Sequence, residues 1–156
     1  MTEPIIVSNA SPIIALQRIG QLDLLPALLG RLIIPPAVRH EVFGSTPLPQ
    51  WIEEMALTQP LASQVLMAQL GAGETEAIAL AMELNASRLL LDDLPARRLA
   101  NLLNLKVLGT LGLLVRAKEQ GLIVEVSPFL DALEVQDFRV SERLRRVVLI
   151  QASEGG

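Results

Sequence analysis

A chain of 156 residues that is 51% hydrophobic, 19% charged and net −4 at pH 7 is long enough to bury one sizeable core without staples. With no cysteine and a single histidine, His40, it excludes disulfides, thiolate nucleophiles, Cys-ligated zinc and His-rich metal sites. The acidic balance also argues against a broad electrostatic grip on nucleic acid, so any such contact must come from a local patch.

The core must be aliphatic, because the chain has three Phe, one Trp and no Tyr. Leu, Ile, Val and Ala pack well between helices and a parallel sheet, which favours an α/β or all-α domain over a sandwich. The opening MTEPIIVSNASP has no basic region ahead of its short apolar run, and no later segment approaches the ~18 apolar residues of a membrane span. A cytoplasmic protein with no membrane association is the expectation.

Ile5, Ile6 and Val7 form a β-branched run closed by Ser8-Asn9-Ala10, with Ser11 as an expected N-cap and Pro12 at the first helical position. Leu22 to Leu29 is helical and stops at Gly30. Leu32, Ile33 and Ile34 make a second strand, and Pro35-Pro36 opens a helix running through Phe43. Residues 44 to 60, rich in Pro, read as a loop with a short strand near Met55 to Leu57. Helices are expected at Leu61 to Leu70 and Glu74 to Leu84, broken by Gly71-Ala72-Gly73, with a strand at Arg88 to Leu91. Asp93 to Leu103 is helical, Lys106 to Leu108 a strand, and Leu111 to Gln120 a helix ended by Gly121. The tail carries helical segments at Pro128 to Leu133 and Ser141 to Gln151, then a polar Ser-Glu-Gly-Gly expected to fray. With neither a repeat nor a long linker, residues 1–156 read as a single domain with a helical extension over 127–151.

Near-continuous aliphatic strands alternating with helices predict a parallel sheet covered on both faces. Ligands of such sheets bind beyond the carboxyl ends of the strands, near the point where strand order reverses. Asn9 follows the first strand, Asp92 and Asp93 follow the run ending at Leu91, and Gly109-Thr110 follows Val107-Leu108, so all point to one rim. At 100° per residue Glu74 falls inside the apolar stripe of its helix and faces inward, whereas Glu76 and Glu83 fall outside it. The facing of Glu41 is ambiguous, since Val38 and Val42 mark a stripe to one side of it.

Carboxylates converging in a cleft raise one another's pKa unless a cation neutralises them, and oxygen donors without His or Cys suit Mg²⁺ or Mn²⁺. Such an ion serves phosphodiester hydrolysis. Each residue has a plainer reading as well. Asp93 is as well placed to cap the helix that follows it, with Arg97 an i,i+4 partner, and Asn9 and Ser11 are common turn and cap residues. Glu74 gains from the helix dipole whatever else it does. For Glu41, Asn9 and Thr110 taken singly, the plainer reading is the better one. The arginines at 139, 143, 145 and 146 are more often a solvated helix face than a track for RNA.

Taken together, "IIVSNASPIIAL", "IPPAVRHEV", "GAGETEAIALAMEL" and "LLLDDLPARRLA" resemble the first strand and turn, the acidic helix, the central helix and the last acidic turn of the PIN-domain family. The likeness runs from the amino terminus to about Gly121 and is greatest to a PIN-like subgroup related to VapC-type toxins. It implies a three-layer α/β/α fold, a Mg²⁺- or Mn²⁺-dependent single-strand ribonuclease site, frequent homodimers and, in toxin members, a small antitoxin partner. Residue by residue it implies metal ligation by Asn9, Glu41, Glu74 and Asp93. Asp92 and Thr110 assist catalysis, and Ser11, Arg97 and Arg98 meet the RNA, as the tail arginines also can. Asn9 stands where the family has a carboxylate, which lowers the charge offered to a cation and raises an alternative, a catalytically weak or inactive PIN-like binding module. A receiver-type phosphoacceptor domain fits less well, because the acidic pair follows Leu91 rather than the first strand.

Overall fold

The computed structural model describes residues 3–59 and 72–155. Five strands, β1 (Ile6–Ser8), β2 (Leu32–Ile34), β3 (Ile52–Glu54), β4 (Arg88–Leu90) and β5 (Val107–Leu108), form a sheet in the order β3-β2-β1-β4-β5, with every pairing parallel. The helices among the described residues are α1 (Ala10–Arg18), α2 (Leu24–Leu29), α3 (Pro36–Phe43), α4 (Ala72–Glu83), α5 (Leu94–Leu102), α6 (Thr110–Glu119), α7 (Ser127–Val135) and α8 (Glu142–Gln151). The helix expected over 61–70 lies outside the described residues.

Side chains alternate across each strand, so an aliphatic run feeds two cores at once. Ile6 and Leu90 enter one core with Ile13 and Leu16 of α1, Leu25 of α2, Val38 of α3, Leu113 and Leu114 of α6, Leu130 of α7 and Val148 of α8. Val7, Leu89 and Leu91 enter the other with Ala77, Ile78, Leu80 and Ala81 of α4 and Ala96 and Ala100 of α5. The result is the three-layer α/β/α arrangement with a parallel central sheet.

Two local readings of the sequence are corrected. The strand expected at Met55 to Leu57 lies three residues earlier. β3 is an edge strand that buries Ile52 and exposes Glu53 and Glu54, so its pattern is less apolar than the stretch that follows. The first helix starts at Ala10 with Asn9 in the N-cap position, so Ser11 and Pro12 lie inside its first turn, where a proline is still tolerated.

The polar tail does not fray through residue 155. Glu154 accepts hydrogen bonds from the backbone N–H groups of Val126 (2.7 Å) and Ser127 (3.0 Å) at the start of α7, and from Lys118 Nζ (3.1 Å). Lys118 Nζ also reaches the carbonyl of Ala152 (2.5 Å). Burial pushes the Glu154 carboxyl pKa up, but these donors together hold it below its ordinary value. It thus supplies, from the far end of the chain, the cap that α7 lacks locally, where no side chain of Val126 serves. Glu154→Ala is expected to destabilise the fold by about 1–2 kcal/mol, read as a lower urea midpoint with an unchanged m-value.

From β1 the chain moves to β2 on one side, and later returns to place β4 on the other. The crevice at the carboxyl ends of β1 and β4 is therefore the topological switch point of this sheet.

Candidate active site

Three adjacent strands deliver polar residues to that crevice. β1 runs into Asn9, β4 into Asp92 and Asp93, and β5 into Gly109 and Thr110. Asn9 continues the ladder, its N–H donating to the Leu90 carbonyl at 2.9 Å, and its side chain is buried. Among the described residues Asn9 Oδ1 has no hydrogen-bond partner. A buried carbonyl oxygen left so costs about 1–3 kcal/mol and calls for a positive partner.

The two adjacent aspartates do different jobs. Asp93 caps α5 in the ordinary local way, its Oδ2 accepting from Ala96 N–H at 3.1 Å, and its side chain is otherwise exposed. Asp92 caps a helix that starts 18 residues later. Its Oδ1 accepts the Thr110 N–H at 2.7 Å and its Oδ2 the Thr110 hydroxyl at 2.6 Å, at the amino end of α6. Burial raises the Asp92 carboxyl pKa above its ordinary value, against the lowering effect of the two Thr110 bonds and the Arg97 charge. Arg97 makes no ion pair with Asp93. Its guanidinium instead passes over Gly109, where a Cβ would lie 2.6 Å from Arg97 Nη1 and 2.9 Å from Asp92 Oδ1. Only glycine leaves room for both groups there.

An open cleft of about 470 Å³ gathers Glu74 from α4, Asp92, Asp93, and the α1 residues Ser11, Ile14, Ala15 and Arg18. Residues 11, 14, 15 and 18 recur at helical spacing, so one stripe of α1 forms a wall. The link Gln136–Arg139, between α7 and α8, forms another. Among the described residues no hydrogen bond or ion pair engages the Glu74 carboxylate.

The remaining predicted residues are placed elsewhere. Glu41 stands exposed on α3 and is not among the residues lining the cleft, because Val38 takes the core-facing position. Arg98 is exposed on α5 and lines none of it. Glu76, expected to face water, turns toward α3 and accepts from Ala37 N–H at 3.4 Å. Glu83 accepts from Thr58 and Gln59 N–H, at 3.1 and 2.7 Å. Of the tail arginines, Arg145 is committed to Asp131 (2.8 Å) and Glu134 (3.3 Å), while Arg139 faces the cleft. Arg18 and Phe138 were not singled out by the sequence. The spacing from Ser11 to Arg18 along α1 was the signal for the former.

This parallel α/β/α sheet, with acids at its switch point, meets a direct comparison: a model of the PIN domain matches residues 5–154. The chain belongs to the PIN-domain family. No curated protein and no solved structure matches it. The PIN domain is a nuclease-type fold that acts on nucleic acid, typically with divalent metal. Among the described residues of this PIN domain no three Asp, Glu or His side chains stand close enough to share an ion. The donors are nonetheless of the right kind: hard oxygens from Glu74 and Asp93 in the cleft, and, at the end of β1 though not among the lining residues, the amide oxygen of Asn9 with no partner among the described residues. One or two carboxylates suffice for Mg²⁺, which keeps several of its waters. Among the described residues no helix is long and apolar enough to cross a membrane.

Proposed function

We propose that this PIN domain is a Mg²⁺- or Mn²⁺-dependent endoribonuclease acting on single-stranded RNA. The observation that carries the reading is the meeting of Glu74, Asp92 and Asp93 in one open cleft at the switch point, beside a β1 that ends in an orphaned amide oxygen. Glu74 and Asp93 would hold the cation and Asn9 would add a neutral oxygen, while Glu41, exposed on α3 outside the lining residues, would act only through its charge. Asp92, locked by Thr110, fixes the loop after β4 against the start of α6 and so sets where Asp93 points. A divalent cation held there would supply an activated water and charge stabilisation at the leaving oxygen. Ser11 and Arg97 border the path of the RNA. By its likeness to VapC-type proteins, the same reading makes the chain a toxin held in check by a small antitoxin, and a homodimer in the cytoplasm.

One feature favours a second reading, a PIN module that binds without turning over. The first acid of the site is an amide, and both oxygens of Asp92 are already engaged. Asn9→Asp separates the two. A charge restored at the buried end of β1 is expected to tighten Mn²⁺ about tenfold by calorimetry and to raise RNA cleavage from a measurable wild-type rate. Wild-type protein that neither takes up Mn²⁺ nor cleaves RNA, beside an Asn9→Asp variant that does both, establishes the binding module instead.

A further inference from the structure

The cleft holds charges of both signs that do not meet. Arg18 and Arg139 line it together with Glu74 and Asp93, yet among the described residues neither arginine forms an ion pair or a side-chain hydrogen bond. Arg139 owes its position to the turn that ends α7. Asp137 adopts the left-handed conformation (φ 64°), with its N–H on the Glu134 carbonyl and the Phe138 N–H on that of Leu133. This helix-ending turn brings Phe138 back against the core and leaves the next side chain, Arg139, at the cleft.

Arg139 also borders a second, apolar groove of about 460 Å³, which shares Asp92 and Phe138 with the first and continues past Arg97 and Leu94 to Leu144 and Val147 of α8. Arg18 lines the first cleft about 10 Å along α1 from Ser11. The acidic cleft is thus also lined by two guanidinium groups that form no ion pair among the described residues, and guanidinium is the side chain suited to a phosphate diester.

Resting on the ribonuclease reading above, we infer that Arg139 and Arg18 are the residues that grip the backbone phosphates of single-stranded RNA lying in the acidic cleft. This answers how a chain of net charge −4 holds a polyanion: through two arginines left unpaired at the site, rather than through the basic face of α8.

The test is the affinity of a fluorescent single-stranded RNA oligonucleotide, followed by anisotropy over a range of salt in EDTA, with KM and kcat measured in Mn²⁺. Arg139→Ala, exposed and so harmless to the fold, is expected to weaken binding and raise KM about tenfold. It should also reduce the slope of log affinity against log salt by about 0.7, with a smaller change in kcat. Arg18→Ala is expected to do the same, and Lys106→Ala, at the opposite edge of the sheet, to do neither. Arginine variants with wild-type affinity, salt slope and KM, in protein that still cleaves RNA, overturn this assignment and leave the ribonuclease reading intact. Wild-type protein that neither binds nor cleaves the RNA overturns both.

Discussion

Asp93→Asn is expected to lower Mn²⁺-dependent RNA cleavage about a hundredfold to a thousandfold while leaving the melting temperature of the protein nearly unchanged. The two effects part because Asp93 has two oxygens in two settings. Oδ2 accepts the Ala96 N–H that begins α5, and an asparagine oxygen caps a helix as well as an aspartate does. What the amide lacks is the negative charge facing the cleft, where a hard cation is held chiefly by carboxylates. Asp93→Ala loses cap and charge together and is expected to cost a further ~1 kcal/mol of stability. Single-turnover cleavage in Mn²⁺, set beside thermal melts of all three proteins, decides the matter. An asparagine variant as active as wild type reduces Asp93 to a cap and removes it from the metal site.

The largest loss of stability is expected from Asp92→Ala. Thr110 is fully buried, and without the carboxylate its N–H and its hydroxyl both lose their acceptor inside the protein. At about 1–3 kcal/mol for each stranded donor, offset in part by the relief of a desolvated charge, the net cost is about 3 kcal/mol, or roughly 6–12 °C in melting temperature. Asp92→Asn keeps one oxygen for the N–H and offers an amide donor to the hydroxyl, so its cost is expected to stay below about 1 kcal/mol. Equal melting temperatures for the alanine and asparagine variants would show that the Thr110 clamp does not hold α6 against β4.

Asp92 also gives stability a pH dependence whose sign is opposite to that of most carboxylates. Its folded-state pKa lies above the ordinary 3.8, so the protonated form is the one the fold favours. The resulting stabilisation is complete below 3.8 and is lost as pH rises through the folded value. Glu154 acts the other way: its pKa is depressed, so its contribution is present above the ordinary 4.5 and fades as pH falls through the folded value. Urea titrations from about pH 3 to about pH 8 are therefore expected to show wild type gaining on Asp92→Asn toward acid pH, and losing its advantage over Glu154→Ala in the same direction.

The layers and the rim were legible in the residue pattern alone. Runs such as Leu89 to Leu91 are apolar on both faces, and only a sheet covered on both sides buries them. The residues that end those runs, Asn9, Asp92 and Gly109, must then emerge at the carboxyl edge whatever the connections do. Helix 100° periodicity was enough to turn Glu74 inward, because that rests on neighbours within one helix. The partner of each polar side chain was decided only by the tertiary structure. Asp93 offered the local cap, yet Asp92 is the one held by both oxygens, since its donors are the N–H and hydroxyl of Thr110 at the start of α6, 18 residues away. Glu154 looked like part of a loose tail and caps α7 from 27 residues beyond it. Arg139 and Arg145 read as one basic helix face, yet one lies on a turn at the cleft and the other is neutralised by α7. Periodicity reports which way a side chain leaves its own element, and local caps lie within a few residues. Hydrogen bonds and ion pairs between distant elements depend on ångström-scale approach, which is set only when the layers pack.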